Sequence, residues 1–214
     1  MSNDDVNVHC LPGGHWRQNC YLIHCGSEGV VVDPGGNVDF ILKTIQDHRL
    51  SVHAIINTHG HFDHIGGVVV LQEMTGARFH MSGRDAPIMK QSNLLRFIFQ
   101  SRESIRIPAM FQDLDVSSDV LEFPGFAVKL IATPGHTPGG YCFRINNHIF
   151  TGDTLLANMP GTSELPGGNK ADLASSIKKL GQLPGDLRMH PGHGRERALG
   201  EVLLNFPSDS LDHD

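Results

Sequence analysis

Long apolar runs are missing from this chain. None of its 214 residues belongs to a hydrophobic stretch near the ~18 residues a membrane span needs, so no membrane association is expected. The opening Met1-Ser2-Asn3-Asp4-Asp5 lacks the basic and apolar regions of an export leader. Cysteine is scarce. Cys10, Cys20, Cys25 and Cys142 form no C-x-x-C pair and no disulfide framework. Such usage fits buried free thiols in a reducing compartment and predicts a cytoplasmic protein. Positive charge is also in deficit: 17 Lys and Arg against 23 Asp and Glu leave a net charge of −6. A nucleic-acid partner would require a basic face, so none is expected.

What is present is ordinary for a globular chain, with 39% hydrophobic and 19% charged residues. No linker-like stretch divides it, which predicts one domain over residues 1–206 and a frayed tail over 207–214. Val6–Leu11, Asn19–Cys25 and Gly29–Val32 read as strands separated by turn signals. Val38, Ile41, Leu42 and Ile45 then fall at i, i+3, i+4 and i+7, the stripe of a surface helix. Strand Val52–Asn57, helix Gly67–Thr75 and strand Ala77–Met81 follow. Residues 83–112 are apolar with basic punctuation and predict one or two short helices, packed on the core edge or forming a wall over a site. In the second half, strands Val120–Phe123, Ala127–Ala132, Tyr141–Ile145 and His148–Thr151 come in succession, with a two-residue turn at Asn146-Asn147. A Gly/Pro-rich loop (160–168), helix Lys170–Leu183, strand Leu187–His190 and helix Glu196–Phe206 complete the pattern. Strands followed by helices in each half predict an α+β chain with two facing sheets and helices outside.

The chemistry concentrates in Thr58-His59-Gly60-His61-Phe62-Asp63-His64, an H-x-H-x-D-H cluster. With 14 His in the chain, a chance occurrence has a probability of roughly 0.4%, which sets the false-positive risk of the motif. Imidazole and carboxylate both ligate first-row divalent metals. The cluster lies on a strand-to-helix turn, where α/β proteins expose chemistry on rigid flanks. Three further residues share that setting just after predicted strands: His136 in T-P-G-H-T-P-G-G, Asp153 in T-G-D-T and His193 in P-G-H-G. Together these five His and two Asp suffice for two metals if one carboxylate bridges, a composition used by two-metal hydrolases. His15, in the Gly13-Gly14-His15-Trp16 loop, is a candidate substrate contact. His190 is a candidate outer partner of a ligand. His9, His24, His48, His53, His148 and His213 read as surface or edge residues.

In order along the chain, these segments resemble the metallo-β-lactamase superfamily from about Cys20 to Arg195, and Asp33-Pro34-Gly35 fits as well. The resemblance implies a four-layer αβ/βα sandwich with two mixed sheets and outer helices. It also implies that His59, His61 and His136 hold one metal, that Asp63, His64 and His193 hold a second, and that Asp153 bridges them. Asp rather than Cys at 153 looks like the glyoxalase II (hydroxyacylglutathione hydrolase) branch. The stretch Gly161–Asn169 is similar to the G-R-[ST]-D-x-P-x-G-[ND] of short, single-domain members. Thr162 stands where that pattern has Arg, however, and Glu164 where it has Asp. The C-terminal extension that contributes to glutathione binding in full-length glyoxalase II has no counterpart in this sequence.

Two dications sharing a water lower its pKa from 15.7 towards 7 and polarise a carbonyl. The function expected is therefore hydrolysis of a thioester or similarly activated acyl bond of a small molecule by a metal-bridging hydroxide. Asp63 would orient that hydroxide as well as ligate, making it the candidate catalytic residue. Zinc is the first expectation for both metals, with iron or manganese as the other candidates. Two alternatives share the residues: a persulfide dioxygenase-like oxidoreductase with one iron on His59, His136 and Asp153, and a lactonase. Substrate and oligomeric state stay open.

Overall fold

In a computed structural model, which describes residues 6–99, 104–116 and 118–205, side-chain alternation decides which layer each strand residue serves. On β2 (Gln18–Cys25), Cys20 and Leu22 face one way and Tyr21 and Ile23 the other, and all four are buried. A strand buried on both faces lies in a sheet covered on both sides. β3 (Glu28–Val32) and β4 (Ser51–Ile56) repeat the pattern: Val31 and Ile55 share the layer of Leu22, while Val30, Val32, Ala54 and Ile56 share that of Tyr21.

The first sheet has the order β1-β2-β3-β4-β5-β6, adding β1 (Asn7–Gly13), β5 (Arg78–Met81) and the two-residue β6 (Gln112–Asp113). Its β1–β2–β3 meander is antiparallel, and β3 through β6 are parallel. The second sheet has the order β12-β11-β10-β9-β8-β7. Its strands are β7 (Val120–Phe123), β8 (Phe126–Ala132), β9 (Tyr141–Ile145), β10 (His148–Gly152), β11 (Arg188–Pro191) and β12 (Arg197–Ala198). Only β10 and β11 run parallel.

Between the sheets Tyr21, Val32 and Ile56 pack on Val128, Phe143 and Phe150. On the far side of the first sheet, α1 (Val38–Asp47) supplies Ile41 and Ile45, and α3 (Val68–Thr75) supplies Val68 and Leu71. On the far side of the second, Leu180 of α6 (Lys170–Leu180) and Leu199 and Val202 of α7 (Leu199–Leu204) cover Ile131, Ile149 and Met189. The expected four-layer αβ/βα sandwich is thus the observed one. Residues 83–113 contain a 3-10 turn (Gly83–Asp85), α4 (Ala86–Lys90) and α5 (Ser92–Ile98) before β6.

Two expectations needed correction. The helix predicted over Glu196–Phe206 begins later, because Arg197–Ala198 pairs with Met189 and Arg188 of β11. Backbone bonds from Leu199 N–H to Leu187 and from Gly200 N–H to Gly185 (2.9 and 2.8 Å) then fix its start. Helix α6 stops at Leu180 rather than Leu183, with the Gly181 N–H closing on the Ile177 carbonyl. The tail predicted over 207–214 lies outside the described residues. Asn146-Asn147 forms the expected hairpin turn, Asn146 adopting φ 52° between the paired Ile145 and His148.

Candidate metal centre

The candidate ligands gather because their loops leave the same edge of both sheets. Asp33 follows β3, His59 follows β4, His136 follows β8, Asp153 follows β10 and His193 follows β11. Hydrogen bonds stitch the sheets together there. Asn19 N–H donates to the Gly192 carbonyl (2.7 Å), Tyr141 N–H to that of Thr58 (2.8 Å), and the Tyr21 hydroxyl to that of Pro191 (2.7 Å). Asn19 Nδ2 donates to the Pro191 and Gly194 carbonyls at 2.9 and 2.8 Å, holding the turn that carries His193. The H-x-H-x-D-H segment enters a single helical turn, α2 (Phe62–Ile65), with His61 extended at its N-cap and Asp63 and His64 on the turn itself.

All seven sequence-predicted residues converge. His136 Nε2 lies 2.9 Å from His61 Nδ1, and His59, His61 and His136 can each turn a nitrogen to a common point. Asp63, His64 and His193 form a second such group, with Asp63 Oδ2 at 3.8 Å from His64 Nε2 and 3.3 Å from His193 Nε2. Asp153 reaches both: Oδ2 is 3.7 Å from His136 Nε2 and 3.5 Å from His193 Nε2, and Oδ1 is 3.6 Å from His64 Nε2. Only glycine fits beside it at 192, where a Cβ would stand 2.1 Å from Asp153 Oδ1 and 2.8 Å from His64 Cε1.

Outer partners set the tautomers. His136 Nδ1–H donates to the Thr162 carbonyl (2.7 Å) and His193 Nδ1–H to that of Trp16 (3.1 Å). His64 Nδ1–H donates to Asp33 Oδ2 (3.0 Å). The Thr58 hydroxyl spends its proton on Asp33 Oδ2 (2.6 Å), so it accepts from His59 Nδ1–H (3.0 Å). In each case Nε2 is the nitrogen left to face inward, as in carboxylate–histidine–metal arrangements.

These inward atoms fit cations and little else. His59 and His64 Nε2 and Asp153 Oδ1 are buried without a hydrogen-bond partner, a costly state for polar groups. Metal–nitrogen bonds of 2.0–2.1 Å in a tetrahedron place ligand atoms about 3.3–3.4 Å apart, in the middle of the separations just given. Electrostatics agree. Burial, then His64, His61 and His136, hold His59 well below the usual imidazole range, and burial and His136 lower His61 to about 4. His64 is the opposite case: burial works against its charge, yet Asp63, Asp153 and Asp33 push it up to about 10. Asp63 is held below the usual carboxylate range by His64 and His193, against its own burial. The carboxylates therefore supply a field suited to positive charge.

Two supporting residues carry weight that motif spacing undervalues. Asp33, fully buried and left-handed at φ 51°, accepts from Thr58 N–H (2.7 Å) as well as from the Thr58 hydroxyl and His64. Its D-P-G context was the only signal for it. Asp85 has no sequence signal. From the segment after β5 it accepts Gly60 N–H (2.8 Å), Gly139 N–H (2.6 Å) and the Thr137 hydroxyl (2.8 Å), tying the His59/His61 turn to the His136 loop. Burial raises the Asp85 carboxyl despite those three donors. His15 stacks edge-on against Trp16 (4.9 Å) at the rim. His190 lies between the sheets against Phe150 and Tyr21, donating to or accepting from His148 at 2.8 Å, and does not meet a ligand.

Fold and site define a class. The profile of the Metallo-beta-lactamase superfamily matches residues 13–193, and the chain belongs to that superfamily. Among individual relatives, it is 28% identical over 211 residues to hydroxyacylglutathione hydrolase GloC of Haemophilus influenzae, covering 94% of this chain and 97% of the relative. It is 28% identical over 209 residues to the probable polyketide biosynthesis zinc-dependent hydrolase BaeB of Bacillus velezensis, covering 95% and 86%. A crystal structure of TTHA1623 in a di-iron-bound form superposes with a TM-score of 0.83 at 30% identity, covering 92% of this chain and 97% of that one. Among the described residues, no helix is long and apolar enough to cross a membrane.

Proposed function

We propose that this chain is a binuclear metal-dependent hydrolase of thioesters or similarly activated acyl compounds, of glyoxalase II-like type and working in the cytoplasm. One observation carries the reading: two three-donor groups, His59/His61/His136 and Asp63/His64/His193, share Asp153 between them, with His59 and His64 Nε2 and Asp153 Oδ1 buried and without hydrogen-bond partners. Zinc is the proposed metal, in keeping with the name of BaeB; the di-iron form of TTHA1623 supports a two-cation centre and keeps iron as the competing metal.

Bound there, two divalent cations would supply a water whose pKa is lowered towards 7 and a polarised acyl carbonyl. The protein's own part is positional. Thr58, Asp33, Thr162 and Trp16 hold His59, His64, His136 and His193 with Nε2 inward. Asp63, kept ionised by His64 and His193, would accept a hydrogen bond from the attacking water and so orient it, as well as serve as a ligand. Trp16, Phe62 and Phe99 (ring centroids 4.7 and 6.0 Å apart in turn) form an aromatic wall beside Asp63 and His193, with Arg96 5.4 Å over the Trp16 ring. That wall, to which residues 83–112 contribute Phe99 and Arg96, suits the apolar part of an acyl substrate. A thiolate leaving group needs little protonation, and the name of GloC points to the same bond class. Retention of Asp63, His64 and His193 together argues against a one-iron oxygenase, which would need only His59, His136 and Asp153.

The test is metal analysis of purified protein together with turnover of S-D-lactoylglutathione, other thioesters, lactones and a chromogenic β-lactam. The expected result is about two metals per chain and thioester turnover that falls by at least about 10²-fold in Asp63→Ala. A folded Asp63→Ala that hydrolyses as well as the parent would sink the assignment, as would one iron per chain with oxygen uptake on a persulfide.

A further inference from the structure

A second histidine cluster lies away from the proposed centre, where β1, β2 and the end of α1 meet. In the β1–β2 ladder His9 pairs with Leu22, and His24 lies two residues further along β2 on the same face, the diagonal arrangement that long side chains can bridge. That face is the one α1 covers with Ile41 and Ile45. The helix ends at Asp47, so its C-cap residue, His48, arrives over the same spot. Alternation and helix length, rather than any motif, bring the three imidazoles together.

Their geometry is that of ligands. His9 Nε2 and His24 Nε2 are 3.1 Å apart, close to the edge of about 3.3–3.4 Å set by metal–nitrogen bonds in a tetrahedron. His24 is buried and donates Nδ1–H to the Gly26 carbonyl at 2.9 Å, so its Nε2 presents an acceptor lone pair towards His9. His48 closes the group, its ring centroid 4.5 Å from that of His9 and 5.6 Å from that of His24, tilted by 51° and 44°. One nitrogen from each ring lies within 4.8 Å of the others. The partial negative charge at the C-terminus of α1 favours a cation at this point.

We propose that His9, His24 and His48 form a peripheral site for one divalent transition cation, with zinc as the natural occupant and an open fourth position facing solvent. The cation takes the place of the single proton that otherwise joins His9 and His24. Three imidazoles without a carboxylate suit zinc, copper or nickel better than calcium or magnesium. This site stands independently of the proposed hydrolase centre, since it shares no residue with it.

Holoprotein with its central site loaded is dialysed to equilibrium against zinc, and bound metal is counted in the parent and in a His9→Ala/His48→Ala variant. The expected result is one zinc fewer in the variant, with hydrolysis by the central site unchanged. Equal zinc content in the two proteins overturns the proposal. His48→Gln alone, at an exposed C-cap position, provides a second measurement should the double variant not fold. It should weaken uptake of the peripheral zinc by about tenfold or more, and unchanged affinity would again overturn the site.

Discussion

Asp33 accepts three hydrogen bonds with its two oxygens, from Thr58 N–H, the Thr58 hydroxyl and His64 Nδ1–H, and so orients two proposed ligands while touching no inward-facing atom itself. An asparagine of the same shape has one acceptor oxygen and an NH2 group, which would meet at least one of those three donors head-on. Asp33→Asn is therefore expected to fold with a loss of about 1–3 kcal/mol and to bind metal about 10–100-fold more weakly. Chelator competition on the purified variant measures the second effect; unaltered affinity would mean that His64 and His59 are aimed by backbone packing alone.

At the scale of elements, the single turn α2 and the loop after β3 fit together without spare room. A Cβ on Gly35 would lie 1.4 Å from the Asp63 carbonyl oxygen and 2.8 Å from Gln18 Nε2, so position 35 must be side-chain-free for Asp63 to sit where it does. Gly26 is a useful contrast, because its φ is +57° yet no atom stands within 4 Å of the point a Cβ would occupy. Gly26→Ala is expected to cost only the left-handed strain of roughly 1–2 kcal/mol. Gly35→Ala should exceed it, at about 3 kcal/mol or more, because backbone rather than a yielding side chain blocks the space. Urea unfolding of the two metal-loaded variants compares them directly. Equal midpoints would show that the loop moves aside at little cost.

Across the whole molecule, the layer between the sheets holds a titratable group. His190 lies flat on Phe150 (4.8 Å, 16°), edge-on to Tyr21 across the sandwich, and is almost fully buried. Burial first, then His148, lower it to about 4, while Glu196 opposes weakly from 3.5 Å. Between about 4 and the usual 6.5 the unfolded chain binds the proton that the folded chain refuses, so stability rises with pH across that window. A contribution on the order of 2–3 kcal/mol is expected to be lost on acidification. In His190→Phe, which keeps the stack on Phe150, the rise between pH 4 and 6.5 should be shallower than in the parent, with both proteins metal-free. Parallel stability curves would place the acid sensitivity elsewhere.

Sequence alone determined the features written locally. The short apolar runs of β2 to β4 between turn signals, the 3.6-residue stripe of α1 and the turn at Asn146-Asn147 depend on neighbours in the chain, so they were legible. So were His59, His61, Asp63, His64, His136, Asp153 and His193, because each stands in a Gly/Pro-bounded turn directly after a strand. Tertiary structure alone decided what depends on distant partners. Asp85 gains its role only because three donors from two loops converge on it, and Arg197–Ala198 becomes a strand only because β11 lies alongside. His9, His24 and His48 are scattered in sequence and read singly as surface residues. Strand register and the length of α1 make them neighbours, and no spacing along the chain encodes that meeting.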